Sequence, residues 1–306
     1  MNLAELCKAT DSFDEDNIIG EGKTGIMYKA TLPNGWFLAV KRLNGSEQHE
    51  NQIVSELLAL SRMRHDNLIP LLGFCIEKNE RLLVYKHMSN GNLYDWLHPI
   101  KGEAKSLQWP LRIKIAVGVA RGLAWLHHKC VFRVVHRKIS SKGVLLDRYF
   151  EPKISNFGST IMSNHGGAMF VYPNGNDSGL FVDSGVWESH FVKKDVYDYG
   201  IVLLELITAR EAINTASSSS LHNNLVEWIG ILSTTDCILN DAIDKYLIGQ
   251  GLDGEILRVL RIVSDCVHPL PYQRPTMLEV YERVSNLGYR YGIPCDFGLM
   301  LQPRRS

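Results

Sequence analysis

Three glycines in the run GEGKTG, Gly20, Gly22 and Gly25, are followed within sixteen residues by Ala39-Val40-Lys41 inside FLAVKRL, residues 37–43. This order constrains the fold more than any other feature of the chain. Taken alone, G-x-G-x-x-G also marks ordinary hairpin turns. A dinucleotide-binding fold, however, needs a helix directly after the glycines. Here a β-rich run follows, which fits a glycine-rich hairpin laid over phosphates. Pro33-Asn34-Gly35 supplies a turn before the strand at 37–43, and RLLVYKH, 81–87, reads as a further strand. Between them, residues 50–63 place Ile53, Leu57 and Leu60 at helical spacing, with Glu56 on the same apolar face. A carboxylate there needs a partner. Lys41 is the candidate; a strand lysine otherwise snorkels to solvent.

Beyond the first hundred residues the pattern changes. Amphipathic helices are expected at 109–128, 194–209, 223–232, 254–267 and 276–287, bounded by Gly, Pro, Ser or Asn. The tract TASSSS, 215–220, reads as a surface insert, and the stretch after Tyr291 as a loose tail. A small sheet-based lobe followed by a larger helical one is an α+β arrangement. With 306 residues, 45% of them hydrophobic and 22% charged, the chain is long enough for a sizeable core. Lys plus Arg equal Asp plus Glu at 33 each, so no overall field favours nucleic acid or a membrane surface. Six widely spaced cysteines, without a C-x-x-C pair, argue against a zinc site or disulfide framework and for a reducing compartment. No 18-residue apolar run and no signal-peptide pattern occur, so direct membrane insertion by this chain is not expected.

The order of glycine loop, A-V-K, helix glutamate and HRKISSK resembles a bilobal protein kinase fold over roughly residues 15–288. The segments LAELCKATDSFDEDNIIG, LIPLLGFC, RLLVYKHMSNGNL, ARGLAWLHH, DVYDYGIVLLELITAR and QRPTMLEVYERV resemble plant leucine-rich-repeat receptor-like kinases. HR-x-ISSK and FEPKIS are most similar to the inactive subgroup that interacts with the somatic-embryogenesis co-receptor kinases. The resemblance implies an N-terminal lobe over 1–88, a helical lobe over 89–290 and a flexible tail over 291–306. It further implies a nucleotide site from Gly20, Gly22, Gly25, Lys41 and Glu56, with Tyr85 as gatekeeper and Lys86, His87 and Met88 as hinge. Met27, Ala39 and Leu145 would sandwich adenine, and Leu60, Leu71, His136 and Phe157 would stack as an internal spine. Asp195 would anchor the catalytic loop. Glu188 would pair with Arg274 in a buried bridge, costly by about 3–5 kcal/mol to break.

Against that pattern the departures carry the functional reading. An active kinase loop reads H-R-D-x-K-x-x-N, in which Asp takes the substrate proton, Lys meets the γ-phosphate and Asn holds a metal ion. Those positions are Lys138, Ser140 and Gly143, and the D-F-G metal site reads Asn156-Phe157-Gly158. A cation is the wrong charge for a base at neutral pH. Gly143 has no side-chain oxygen, and a neutral amide is a poor magnesium ligand. The segment Asp183-Ser184-Gly185-Val186-Trp187-Glu188 keeps the glutamate but not the proline of the family's substrate platform. No catalytic residue and no metal site is therefore expected, no cofactor is required, and any ATP binding would be weak and independent of magnesium. The resemblance implies a pseudokinase in plant signalling that regulates an active co-receptor kinase. It would be cytoplasmic, at the inner face of the plasma membrane if part of a receptor. A slow serine/threonine kinase and a non-catalytic nucleotide sensor stay open, because the glycine loop, Lys41 and Glu56 are retained.

Overall fold

The computed structural model describes residues 1–44, 47–100, 106–163, 187–211 and 242–300. The helix expected at 223–232, the TASSSS tract, Asp183–Val186 and residues 301–306 lie outside the described residues.

The small lobe is one antiparallel sheet of β1 (Ile18–Gly22), β2 (Gly25–Thr31), β3 (Phe37–Leu43), β4 (Leu71–Glu77) and β5 (Glu80–Lys86), ordered β1-β2-β3-β5-β4. Side chains alternate between its faces, and the two faces serve different cores. Tyr28, Ala30, Leu38, Val40, Cys75, Leu82 and Val84 meet Leu6 and Phe13 in one cluster, under the short helix α1 (Leu3–Ala9). Ala39, Leu83 and Tyr85 point the other way and join Ile53, Ala59 and Leu60 of helix α2 (Glu47–Arg62). Gly25 opens β2 where any Cβ would lie 2.2 Å from the Arg42 carbonyl oxygen. The glycine loop can therefore close on β3 only with glycine at this position.

The linker His87–Asn92 leads into the large lobe. Helix α3 (Leu93–Leu97) starts from Asn92, whose side chain accepts from the Asp95 N–H. Helix α4 (Trp109–His128) is buried on most of its circumference and is the axis of this lobe. Helices α5 (Lys193–Thr208), α6 (Asp253–Cys266) and α7 (Met277–Gly288) surround it, and Tyr199 of α5 donates to the Ala116 carbonyl at 3.0 Å. Four short strands, β6 (Arg133–Val135), β7 (Val144–Leu146), β8 (Pro152–Ile154) and β9 (Ile161–Ser163), pair as β6 with β9 and β7 with β8. Of these, β6 and β8 pack against α4, and β7 against α3.

The lobes share a core. Residues of α2, β3 and β5 belong to the same apolar cluster as those of α4, α5 and α7. At the joint, Asn67 donates to Pro152 O at 3.1 Å and Glu151 Oε1 at 2.8 Å, while Arg121 Nε donates to Asn67 Oδ1 at 2.7 Å. Gly118 permits this approach, since a Cβ there would stand 2.4 Å from Pro152 Cγ.

Helix 109–128 falls where its periodicity puts it, and the expected helices at 194–209, 254–267 and 276–287 are each shifted by one residue at both ends. The loose tail expected after Tyr291 is docked as far as Met300. Ile293 N–H donates to Gly288 O at 3.2 Å, Asp296 N–H to Tyr281 Oη at 2.7 Å, and Leu299 in the short helix α8 (Phe297–Met300) is buried. Buried tyrosine chemistry on α7, invisible to a search for periodicity, holds it.

Arg112 ties α4 to two loops. Its guanidinium donates to Leu107 O at 2.7 Å and Leu206 O at 2.8 Å and pairs with Asp244, with only 3% of its side chain exposed. Arg112→Ala strands a carboxylate and two carbonyls. Chemical denaturation of the variant is expected to show a loss of about 3–5 kcal/mol.

Candidate functional site

The cleft side of the small lobe places Lys41 and Glu56 together. Lys41 projects from β3 opposite Leu83 of β5, and its Nζ meets Glu56 Oε2 at 3.0 Å, with the side chains 13% and 5% exposed. Helix α2 is thus rotated with its carboxylate inward, because Ile53 and Leu60 on the same face are buried in the shared core. Tyr85 stands behind this pair. Burial first, then the Glu56 carboxylate, pushes its hydroxyl well above the usual phenol range.

Of the residues expected around adenine, Ala39 pairs with Tyr85 across β3 and β5, and Met27 with Lys41 across β2 and β3. Ala39, Tyr85 and Met88 are buried in the shared core, and Met27 and Leu145 pack against it half-buried. Leu145 is tethered to the linker through a bridge to Asn92. His87 packs near the Phe37 ring at 6.0 Å, and burial lowers its pKa. Gly20 and Gly22 lie in β1, and Gly25 opens β2. Met27, Ala39, Tyr85 and Met88 of the small lobe and linker thus meet Leu145 of the large lobe at the shared core, while the glycines run along β1 and β2 and Lys86 is exposed.

The loop from β6 to β7 hangs on one carboxylate. Asp195 of α5 is fully buried; its Oδ2 accepts from the His136 N–H at 2.7 Å and its Oδ1 from the Arg137 N–H at 2.7 Å. His127, at the end of α4, meets Oδ2 at 2.9 Å. Held this way, Arg137 takes φ 68°, a left-handed conformation that a non-glycine residue adopts only when its surroundings impose it. His136 Nδ1 accepts from the Lys138 N–H at 3.3 Å, which leaves Nε2–H to donate to Ser155 O at 2.8 Å. Burial lowers the pKa of this imidazole. Phe157 stacks edge-on against it at 4.8 Å, fully buried below α2. Leu60 is buried in the same cluster and Leu71 packs against it, so the four spine residues belong to one core.

The reacting positions differ in kind. Lys138 faces solvent. Lys142 lies away from the cleft centre, over the Tyr94 ring at 4.2 Å and 3.9 Å from Glu211. Ser140 offers a hydroxyl but no charge for a γ-phosphate. Asn156 has a left-handed backbone, φ 69°, and its Nδ2 lies 3.3 Å from the point where a Cβ at Gly143 would be. The two metal positions thus face each other as an amide and a glycine. Neither supplies the anionic oxygen that magnesium needs, so the residues present do not fit a catalytic magnesium ion.

One expected pair is corrected. Glu188 does not meet Arg274: Glu188 Oε2 accepts from Arg133 Nη2 at 2.7 Å, with the side chains 36% and 31% exposed. A wide, π-type turn over Trp187–Val192 directs Glu188 toward β6. Arg274 is satisfied by carbonyls instead, donating to His268 O at 2.8 Å and Lys193 O at 3.0 Å, with Tyr197 beneath its guanidinium at 4.8 Å. Lys193 Nζ returns a bond to Arg274 O at 2.6 Å. A half-exposed bridge such as Arg133–Glu188 contributes about 0.2–1 kcal/mol, far below the buried-bridge figure.

His127 escaped sequence reasoning. The signal was the buried side of the His127-His128 pair closing an apolar helix, but its partner lies 68 residues away.

A two-lobed frame with a lysine–glutamate pair over a carboxylate-anchored loop defines a protein kinase domain. Consistent with this, residues 13–284 match the family model described as protein tyrosine and serine/threonine kinase. The chain belongs to this family, among relatives that are leucine-rich-repeat receptor-like kinases of plants. It is 43% identical to a "probably inactive leucine-rich repeat receptor-like protein kinase" of Arabidopsis thaliana, over 98% of this chain and 50% of that protein. It is 40% identical to a "probable LRR receptor-like serine/threonine-protein kinase" of the same plant, over 97% and 50%. It is 35% identical to the "inactive LRR receptor-like serine/threonine-protein kinase BIR2" of Arabidopsis thaliana, over 95% and 48%. The chain spans about half the length of these relatives.

The geometry separates two kinds of position. Asp195→Ala removes the acceptor for two backbone N–H groups and a histidine in a fully buried site, and is expected to cost about 3–5 kcal/mol. Lys138→Ala, on an exposed side chain, is expected to stay within about 0.5 kcal/mol of the unaltered protein. Denaturant titration of the two variants side by side measures the difference.

Proposed function

We propose that this domain is a pseudokinase: a catalytically inactive kinase domain that serves as a regulatory binding module for an active receptor-type kinase. The observation that carries the reading is the contrast within one loop. Its backbone is pinned by Asp195 at His136 and Arg137, yet the positions that would react there hold Lys138, Ser140 and Gly143, and the metal position after β8 holds Asn156. Relatives bearing inactive names support it. A co-receptor kinase at the inner face of the plasma membrane is the partner this reading favours, on the receptor-kinase resemblance.

Magnitudes favour absence of turnover over slow turnover. Losing a general base forfeits about 10²–10⁴-fold, and losing metal stabilisation of phosphoryl charge forfeits several kcal/mol more. The losses need not add. A kinase at roughly 1–100 s⁻¹ would still fall to the level of contamination. A second reading, a nucleotide sensor without catalysis, draws on the formed Lys41–Glu56 pair, which would hold a phosphate in place without reacting.

Radiolabelled phosphate transfer, to the protein itself or to a generic substrate with magnesium or manganese, is expected to match a Lys41→Met control. Lys138→Asp alone is expected to restore nothing. A Lys41-dependent signal above that control would return the domain to the slow kinases.

Thermal titration with ATP separates the two non-catalytic readings. Saturation at a hundred times the dissociation constant would stabilise by about 2.7 kcal/mol. Little or no shift is expected, and any shift should be the same with and without magnesium. A large magnesium-dependent shift would show that Asn156 still organises a metal.

A further inference from the structure

The lead-in helix carries a thiol that kinase chemistry does not use. Cys7 lies on the face of α1 that packs against the outer face of the small-lobe sheet, and it touches the cluster containing Cys75 of β4. The start of α1 is fixed over that edge of the sheet, since the Leu3 N–H donates to Glu77 Oε1 at 3.2 Å. Cys7 follows Leu3 by one helical turn, and Cys75 precedes Glu77 by two strand residues, on the same face of β4. Cys75 is 4% exposed, whereas Cys7 is half-buried and reachable from solvent. The other free cysteines among the described residues, Cys130, Cys266 and Cys295, all belong to the large lobe. We propose that Cys7 and Cys75 form a reversible, peroxide-driven disulfide that clamps the lead-in helix to the edge strand of the small lobe.

The roles follow from position. Cys7 is the accessible sulfur, so its thiolate attacks a hydroperoxide, taking one oxygen as sulfenic acid and releasing water or an alcohol. The Cys75 sulfur then attacks the Cys7 sulfur, the S–O bond breaks and a second water leaves. Two thiols lose two electrons in total, and the peroxide accepts them. Glu77, on the same face of β4 and held by the Leu3 N–H, is placed to take the Cys75 proton in the second step. Burial, the Glu77 charge and the neighbouring Cys7 together raise the Cys75 thiol. Cys75 is therefore the sulfur that resolves, and Cys7 the one that meets oxidant. In a reducing compartment such a bond is transient and regulatory rather than structural. This inference does not rest on the domain being inactive.

The experiment uses the whole chain, reduced, treated with hydrogen peroxide, alkylated and mapped by non-reducing mass spectrometry. The expected product joins the peptides bearing Cys7 and Cys75, with two alkylatable thiols lost and both regained on reduction. Limited proteolysis is expected to cut before residue 13 more slowly in the oxidised protein, and Cys7→Ser is expected to abolish that difference while melting like the reduced protein. Oxidation of Cys7 to sulfinic acid with Cys75 still alkylatable would overturn the proposal. So would pairing of either residue with a large-lobe cysteine or between two copies.

Discussion

A single buried carboxylate organises the centre of this domain. Asp195 is shielded from water and accepts from two consecutive backbone N–H groups and a histidine. In a low-dielectric site a carboxylate with these donors is held far more tightly than one at the surface, and each donor loses its only alternative to water. The left-handed Arg137 and the bond from His136 to Ser155 follow from that anchorage. Phe157 then has a ring to pack on, and α2 has a floor under Glu56.

That chain of contacts runs from the large lobe to the small one without passing through any reacting group. This explains how the fold tolerates Lys138 and Asn156, which are exposed; Gly143 is buried and enters the contacts through its backbone, its carbonyl accepting from the Ser155 N–H and Oγ, both at 2.9 Å. Positions that touch only solvent or substrate can change charge at small cost to stability. Positions inside the chain of contacts cannot, because removing one partner leaves the other buried and unsatisfied. Loss of catalysis and retention of architecture are therefore compatible in one sequence, and the Lys41–Glu56 pair belongs to the architecture as much as to any nucleotide.

Much of this was legible in the sequence. The strand at 37–43 and the helix at 109–128 announce themselves through apolar runs and clear boundaries, and Glu56 on an apolar face asks for Lys41 before any coordinates are considered. What stayed hidden depends on direction. Glu188 and Arg274 have the right charges for each other, but a wide turn sends Glu188 to Arg133 and backbone carbonyls satisfy Arg274. Carbonyl acceptors leave no trace in residue types. Helix α1 was hidden for another reason: seven residues are too few for periodicity, although Asn2 and Glu5 form a reciprocal cap that three-residue spacing could have revealed.

The two altered metal positions are also linked through space. The Asn156 amide lies against the bare Cα of Gly143, so a side chain restored at 143 would meet Nδ2 at 3.3 Å, closer than ordinary carbon packing. Ser140 Oγ closes the third side at 3.5 Å. An asparagine there must displace the amide before it can reach a metal. An aspartate at 156 alone would face a glycine that shares none of the ion's charge. The route back to a magnesium site therefore passes through intermediates that each hold half a coordination shell, while Lys138 still places positive charge where a base should be. Ser140, Gly143 and Asn156 thus pack as one set, and a substitution at any of them is felt by the other two.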